Sequence, residues 1–153
     1  MSKKSFNLII KEKILPFNKK IKVDSDKSIS IRSLLIGAIS QNISYIKNIL
    51  ESEDVISTIN CLKKLGIKIL KKNGNFIVYG KGLGSFSAKK NMELNFGNSG
   101  TLARLIIGIL STTPDININL TGDHSLKKRS MKKLILLMSE FGASFEPKKK
   151  FNF

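Results

Sequence analysis

Ser28 to Ser40 is apolar around almost its whole circumference, with Ile29, Ile31, Leu34, Leu35, Ile36, Ala38 and Ile39 leaving no wide polar face. That pattern predicts a helix buried on most sides. Asp54 to Leu65 is amphipathic instead: Val55, Ile56, Ile59, Leu62 and Leu65 share one helical face, and Ser57, Thr58, Asn60, Lys63 and Lys64 share the other. Gly66 follows as a stop. Ile67 to Leu70 and Phe76 to Tyr79 predict two strands around Asn73-Gly74, a strong hairpin signal. Ile43 to Leu50 predicts a strand between the helices, and Ile21-Lys22-Val23 a short strand ahead of the first. The order is strand, buried helix, strand, exposed helix, strand, strand.

The order then starts again. Met92 to Phe96 predicts a strand, Thr101 to Leu110 a second helix apolar all round, and Ile116 to Leu120 an alternating strand. Met131 to Phe141 predicts a helix, Gly142 its stop, and Ala143 to Phe145 the start of another strand. Ser28 and Arg32 lie four apart, as do Gly100 and Arg104, 72 residues later. Leu65-Gly66-Ile67 matches Phe141-Gly142-Ala143, 76 residues later. This period exceeds that of solenoids and reads as duplication of a whole βαβαββ unit. Buried helices inside a ring of sheets need at least one more unit to close the core. The expected class is α/β (α+β).

At 153 residues, with 41% hydrophobic and 25% charged residues, the chain suits one globular domain. Polar residues interrupt every apolar run before membrane-spanning length. The first residues lack the pattern of a secretory signal. The single cysteine, Cys61, has no internal disulfide partner and no Cys or His at metal spacing. These features fit a cytoplasmic protein. The net charge of +16 raises nucleic-acid binding as a rival reading. Lys pairs scattered along the chain, with no interleaved aromatic platforms, argue against it.

Three stretches place backbone amides and fixed cations together: Asp26-Lys27-Ser28-Ile29-Ser30-Ile31-Arg32, Gly97-Asn98-Ser99-Gly100-Thr101-Leu102-Ala103-Arg104, and Gly122-Asp123-His124-Ser125-Leu126-Lys127-Lys128-Arg129. The first two open apolar helical segments, and a helix start suits phosphate or carboxylate. Ser28 and Ser99 are also ordinary capping residues. Arg32 and Arg104 lie one turn into apolar helices, where a buried Arg needs an anionic partner such as a ligand, Asp54 or Asp123. His124 reads as a surface loop residue. Gly80-Lys81-Gly82-Leu83-Gly84 lacks the spacing of a phosphate loop and reads as a link between units.

These stretches resemble signatures of the 3-phosphoshikimate 1-carboxyvinyltransferase (EPSP synthase) family. Asp26 to Arg32 is similar to its Lys-Ser motif, Gly97 to Leu105 to its Gly-Asn-Ser/Ala-Gly-Thr motif, and Gly122 to Met131 to its Gly-Asp-Glu-Ser-Leu-x-x-Arg motif, in the family's order. Asp24-Ser25, Ile31, His124 and Ser130 depart from the usual Pro-Gly, His, Glu and Pro.

The resemblance implies an incomplete inside-out barrel of the enolpyruvyl transferase type, built from βαβαββ units with buried parallel helices. It assigns 1–21 to a strand region of the family's second domain and 22–153 to about two units of the first, 22–84 and 90–153. It implies transfer of the enolpyruvyl group of phosphoenolpyruvate to shikimate 3-phosphate, in aromatic amino acid biosynthesis. Lys27, Ser28 and Arg32 match positions that hold shikimate 3-phosphate. Lys27, Gly100 and Arg129 match positions that contact phosphoenolpyruvate, and Lys27 could transfer a proton or stabilise charge. Asn98, Ser99, Thr101 and Arg104 support them. No metal and no cofactor are implied. Because later substrate-site residues of the family lie beyond residue 153, the expectation is a fragment inactive alone, with the missing C-terminal part supplied in cis or trans. The alternative is a non-catalytic half that binds shikimate 3-phosphate or a partner. A sibling family acting on a UDP-sugar carries different motifs.

Overall fold

The computed structural model describes residues 20–146 and, ahead of them, residues 7–9, 11, 13, 15, 16 and 18. Helix α1 (Lys27–Ile39) starts at Asp26, whose carboxylate accepts the Ile29 N–H at 2.7 Å. Strand β1 (Ile43–Ile46) follows, then α2 (Glu53–Lys64), β2 (Lys68–Lys72) and β3 (Asn75–Tyr79). Asn73 and Gly74 both take positive φ, 50° and 73°, as a two-residue type I′ turn requires. The hairpin lays β3 antiparallel between β1 and β2, with Tyr45 and Leu70 both opposite Ile77. Val78, Phe76 and Ile69 point inward.

After an irregular stretch come β4 (Glu93–Asn95), α3 (Gly100–Leu110), β5 (Asn119–Thr121), the short α4 (His124–Lys127) and α5 (Lys132–Glu140). Strands β4 and β5 are parallel, and α3 is the crossover that parallel pairing needs. Helix α1 packs on both α2 and α3. The core lies among Ile31, Leu34 and Ala38 of α1, Val55 and Leu62 of α2, Leu94 and Phe96 at β4, and Leu102 and Ile106 of α3, all fully buried. The architecture is mixed α/β with two unclosed sheets.

Several expectations need correction. Ile21-Lys22-Val23 is irregular and exposed. A three-residue strand persists only beside a neighbour, and β1 pairs solely with β3 among the described residues. The strand expected to Leu50 stops at Ile46, just before Asn48 takes φ 55°. The strand expected from Ile116 begins at Asn119, and Ala143 to Phe145 is irregular. Helix α1 is not covered all round, since Ile29 and Ile36 are 65% and 63% exposed. Arg32 and Arg104 are exposed rather than buried. On α2, Ile56 faces solvent while Thr58 is fully buried, its hydroxyl donating to the Asp54 carbonyl at 2.8 Å. His124 opens α4 instead of lying in a loop. Most of the expected 1–21 strand region lies outside the described residues. No helix among them is long and apolar enough to cross a membrane.

Candidate anion-binding site

Because β4 and β5 run parallel, their C-terminal ends meet at one edge, where ligand crevices form in open α/β sheets. The loops leaving that edge are the second and third sequence motifs. The Phe96 N–H bonds the Thr121 carbonyl and the Asp123 N–H bonds the Gly97 carbonyl, each at 2.9 Å. A Cβ at Gly122 would collide with the Leu126 side chain and stand 2.9 Å from the Gly97 oxygen, so glycine lets the two loops touch. Ser99, fully buried, caps α3 by accepting the Leu102 N–H at 3.3 Å. Asp123 caps α4 through the Leu126 N–H at 2.7 Å.

The result is a cavity of about 170 Å³ lined by Lys27, Asp54, Asn98, Gly100, Thr101, Arg104 and Arg129. Lys27 is the first residue of α1 and Gly100 the first of α3, so two helix N-termini lie beside it. The helix starts align Lys27 with Gly100, 73 residues apart, one residue off the repeat read from Ser28 and Gly100. Lys27 Nζ pairs with Asp54 Oδ2 at 2.9 Å. Arg129 Nη2 donates to Asn98 Oδ1 at 2.8 Å, and Arg104 Nη1 to the Gly100 carbonyl at 3.5 Å. A Cβ on Gly100 would stand 2.7 Å from Arg129 Nη1 and 3.0 Å from Arg104 Nη1. Glycine is therefore what admits both guanidinium groups to the start of α3.

Three cations face one carboxylate. Like charges about 4 Å apart repel by roughly 1–4 kcal/mol, depending on solvent exposure. A multiply charged anion in the cavity would relieve that repulsion and take the Arg forks bidentately. Of the sequence-derived site residues, Lys27, Asn98, Gly100, Thr101, Arg104 and Arg129 converge. Ser99 serves as a cap. Ser28, half-buried, and Arg32, exposed, lie on α1 outside this lining. The expectation that Asp54 or Asp123 would neutralise an Arg is overturned, because Asp54 holds Lys27 and Asp123 caps a helix. Asp54 was foreseen as an anionic partner, but for an arginine, and the structure sets it against Lys27 instead. Its signal was the acidic Ser52-Glu53-Asp54 run opening α2.

Cys61 is only 1% exposed, and its thiol donates to the Asn95 carbonyl at 3.4 Å. Burial pushes it up from 9.0 to about 11, against the opposing charge of Lys64. It is a packing residue away from the cavity. No group of three metal-ligating side chains occurs among the described residues.

The sequence profile of EPSP synthase (3-phosphoshikimate 1-carboxyvinyltransferase) matches residues 11–153. The chain belongs to the EPSP synthase family. It is similar to the 3-phosphoshikimate 1-carboxyvinyltransferase of Caldicellulosiruptor saccharolyticus, 49% identical over 127 residues, covering 83% of this chain and 29% of that protein. The relative from Syntrophomonas wolfei is 40% identical over 144 residues, covering 94% and 33%. Among solved structures, EPSP synthase from Acinetobacter baumannii matches with a TM-score of 0.77 and 34% identity, over 88% of this chain and 31% of that one. The chain thus spans about a third of the length of the EPSP synthases it matches.

Proposed function

We propose that this chain is the part of an EPSP synthase that holds the anionic ends of its substrates, phosphoenolpyruvate and shikimate 3-phosphate, during enolpyruvyl transfer in the cytoplasm. The observation that carries this reading is the meeting of Lys27, Gly100 and Arg129, from three separate motifs, at one small cationic cavity. In the proposed assignment Lys27, Gly100 and Arg129 face phosphoenolpyruvate. Lys27, Ser28 and Arg32 hold shikimate 3-phosphate on the adjoining face of α1. The two substrates repel each other as polyanions. The electrostatic task is to hold them together and to orient the hydroxyl against the vinyl carbon. Lys27, with a compact charge beside a carboxylate, is the residue here suited to stabilise charge or move a proton.

Under the same proposal, 22–84 and 90–153 are two repeated units of one domain, and 1–21 belongs with the other domain. The chain alone binds without turnover, because the remaining substrate contacts come from polypeptide it does not contain. Calorimetric titration with each substrate tests the binding, and a phosphate-release assay with both tests the turnover. The expected result is saturable binding, weakened about 10-fold or more (about 1.4 kcal/mol) by Lys27→Ala and Arg129→Ala, with no phosphate released. Absence of binding would refute the site assignment. Phosphate release would refute only the need for further polypeptide.

A further inference from the structure

One carboxylate stands in a cavity whose cations call for an anion. Asp54 lines it beside Lys27, Arg104 and Arg129, and the Asp54 side chain is only 15% exposed. A fixed negative charge there repels any phosphate or carboxylate that enters. Helix stability does not account for its placement. An acid in the first turn of α2 favours that helix through the dipole, but Glu53 already supplies one. The Asp54 carboxylate caps no backbone N–H among the described residues; its bond is the 2.9 Å ion pair with Lys27 Nζ.

Each cation of the cavity is tied to oxygen of the chain, and the oxygens differ. Arg129 Nη2 donates to Asn98 Oδ1 at 2.8 Å and to Ser125 Oγ at 3.5 Å, and Arg104 Nη1 donates to the Gly100 carbonyl at 3.5 Å. All of those acceptors are neutral. Lys27 alone is held by a charge. The difference follows from the side chains. A guanidinium is a rigid planar fork, so a neutral acceptor is enough to aim it. An ammonium is a strongly hydrated point charge on a flexible four-carbon stem. The Lys27 side chain is 48% exposed, so water competes for it and its rotamers are open. Asp54 is the rigid partner. Its backbone carbonyl accepts the hydroxyl of the fully buried Thr58 at 2.8 Å, and its neighbour Val55 is fully buried. The ion pair thus fixes a mobile cation to an anchored carboxylate and joins the starts of α1 and α2.

We propose that Asp54 is a positioning residue, which holds the Lys27 ammonium at the cavity so that the incoming anion meets a cation already in place. The carboxylate weakens the field of the cavity and strengthens its geometry, and the second effect prevails. This goes beyond the assignment of Lys27 to the substrates and rests on reading the cavity as their anion site. It fixes the sign of an experiment. Removing Asp54 makes the cavity more positive, so electrostatics alone would tighten anion binding, whereas loss of the tether loosens it.

The probes are inorganic phosphate and phosphoenolpyruvate, each titrated into the full 153-residue chain and followed by backbone amide shifts. Asp54→Ala is expected to weaken both about 3-fold or more. Asp54→Asn, which keeps the shape and drops the charge, weakens them in the same direction, and Asp54→Glu restores part of the loss. In a Lys27→Ala background the same Asp54→Ala change tightens binding, because only the repulsion is left to remove. A merely structural acid at the start of α2 would lower the melting temperature and give no such reversal. In the ligand-free chain the ¹⁵N signal of the Lys27 ammonium, slowed in its exchange with water by the ion pair, is lost in Asp54→Ala. Binding as tight or tighter in Asp54→Ala, or the same fold-change with and without Lys27, would overturn the proposal while leaving the cavity as an anion site. Absence of binding by the native chain would overturn the reading of the cavity and this proposal with it.

Discussion

Gly100 shows how one missing carbon sets the site. Its Cβ would fall 2.7 Å from Arg129 Nη1, inside any contact a real Cβ makes. Gly100→Ala should push Arg129 away and weaken phosphoenolpyruvate binding about 10-fold, or about 1.4 kcal/mol, without lowering the melting temperature. Calorimetry paired with a circular dichroism melt checks both halves of that statement. Cys61 makes the opposite case, a reactive group kept out of chemistry. Its thiol stays protonated up to about 11 because burial disfavours the thiolate, while an unfolded thiol ionises near 9.0. Below pH 9.0 both states keep the proton, so its contribution to stability is constant there. Between 9.0 and about 11 the unfolded chain releases a proton that the folded chain keeps, so stability falls as pH rises. Urea midpoints at pH 8 and pH 10.5 should fall further apart for the native chain than for Cys61→Ala. Lys27, Gly100 and Arg129 were legible from motif order. The partner of Asp54 was not, because an amphipathic pattern shows which face is polar and not which cation it meets.

At the scale of elements, turn chemistry was the most legible signal. Asn73-Gly74 specified the hairpin because both residues tolerate left-handed backbone, and Gly66 and Gly142 specified helix stops for the same reason. Strands that depend on a distant neighbour were not legible. Ile21 to Val23 has the composition of a strand but no partner on β1 among the described residues, and Ile116 to Ile118 lies against a groove rather than in the sheet. Helices α1, α2, α3 and α5 were found and the short α4 was not, and the exposed faces were not foreseen in detail, since apolar periodicity cannot show which contact is absent. Two glycine substitutions test the packing account in opposite directions. A Cβ at Gly80 would collide with the carbonyl oxygens of Ser40 and Gly37, so Gly80→Ala should cost about 2–3 kcal/mol in chemical denaturation. Gly108, inside α3, has nothing within 4 Å of its would-be Cβ. Gly108→Ala should therefore stabilise by about 0.5–1 kcal/mol through helix propensity.

Among the described residues, a strongly basic chain leaves apolar side chains exposed on α1 and α5. Ile29, Ile36, Leu136, Leu137 and Phe141 are all exposed. Sedimentation of the isolated chain should show self-association that rises with concentration. The mixed α/β class was visible in the sequence because helical and strand periodicities alternate along it. The convergence of three distant motifs became visible only with β4 and β5 side by side. That convergence is the central claim, and a backbone amide titration with phosphoenolpyruvate tests it most directly. The account predicts saturable shifts concentrated at Lys27, Asn98, Gly100, Thr101 and Arg129, weakening as salt screens the cations. Shifts spread over the surface lysines, or none at those five residues, would contradict it.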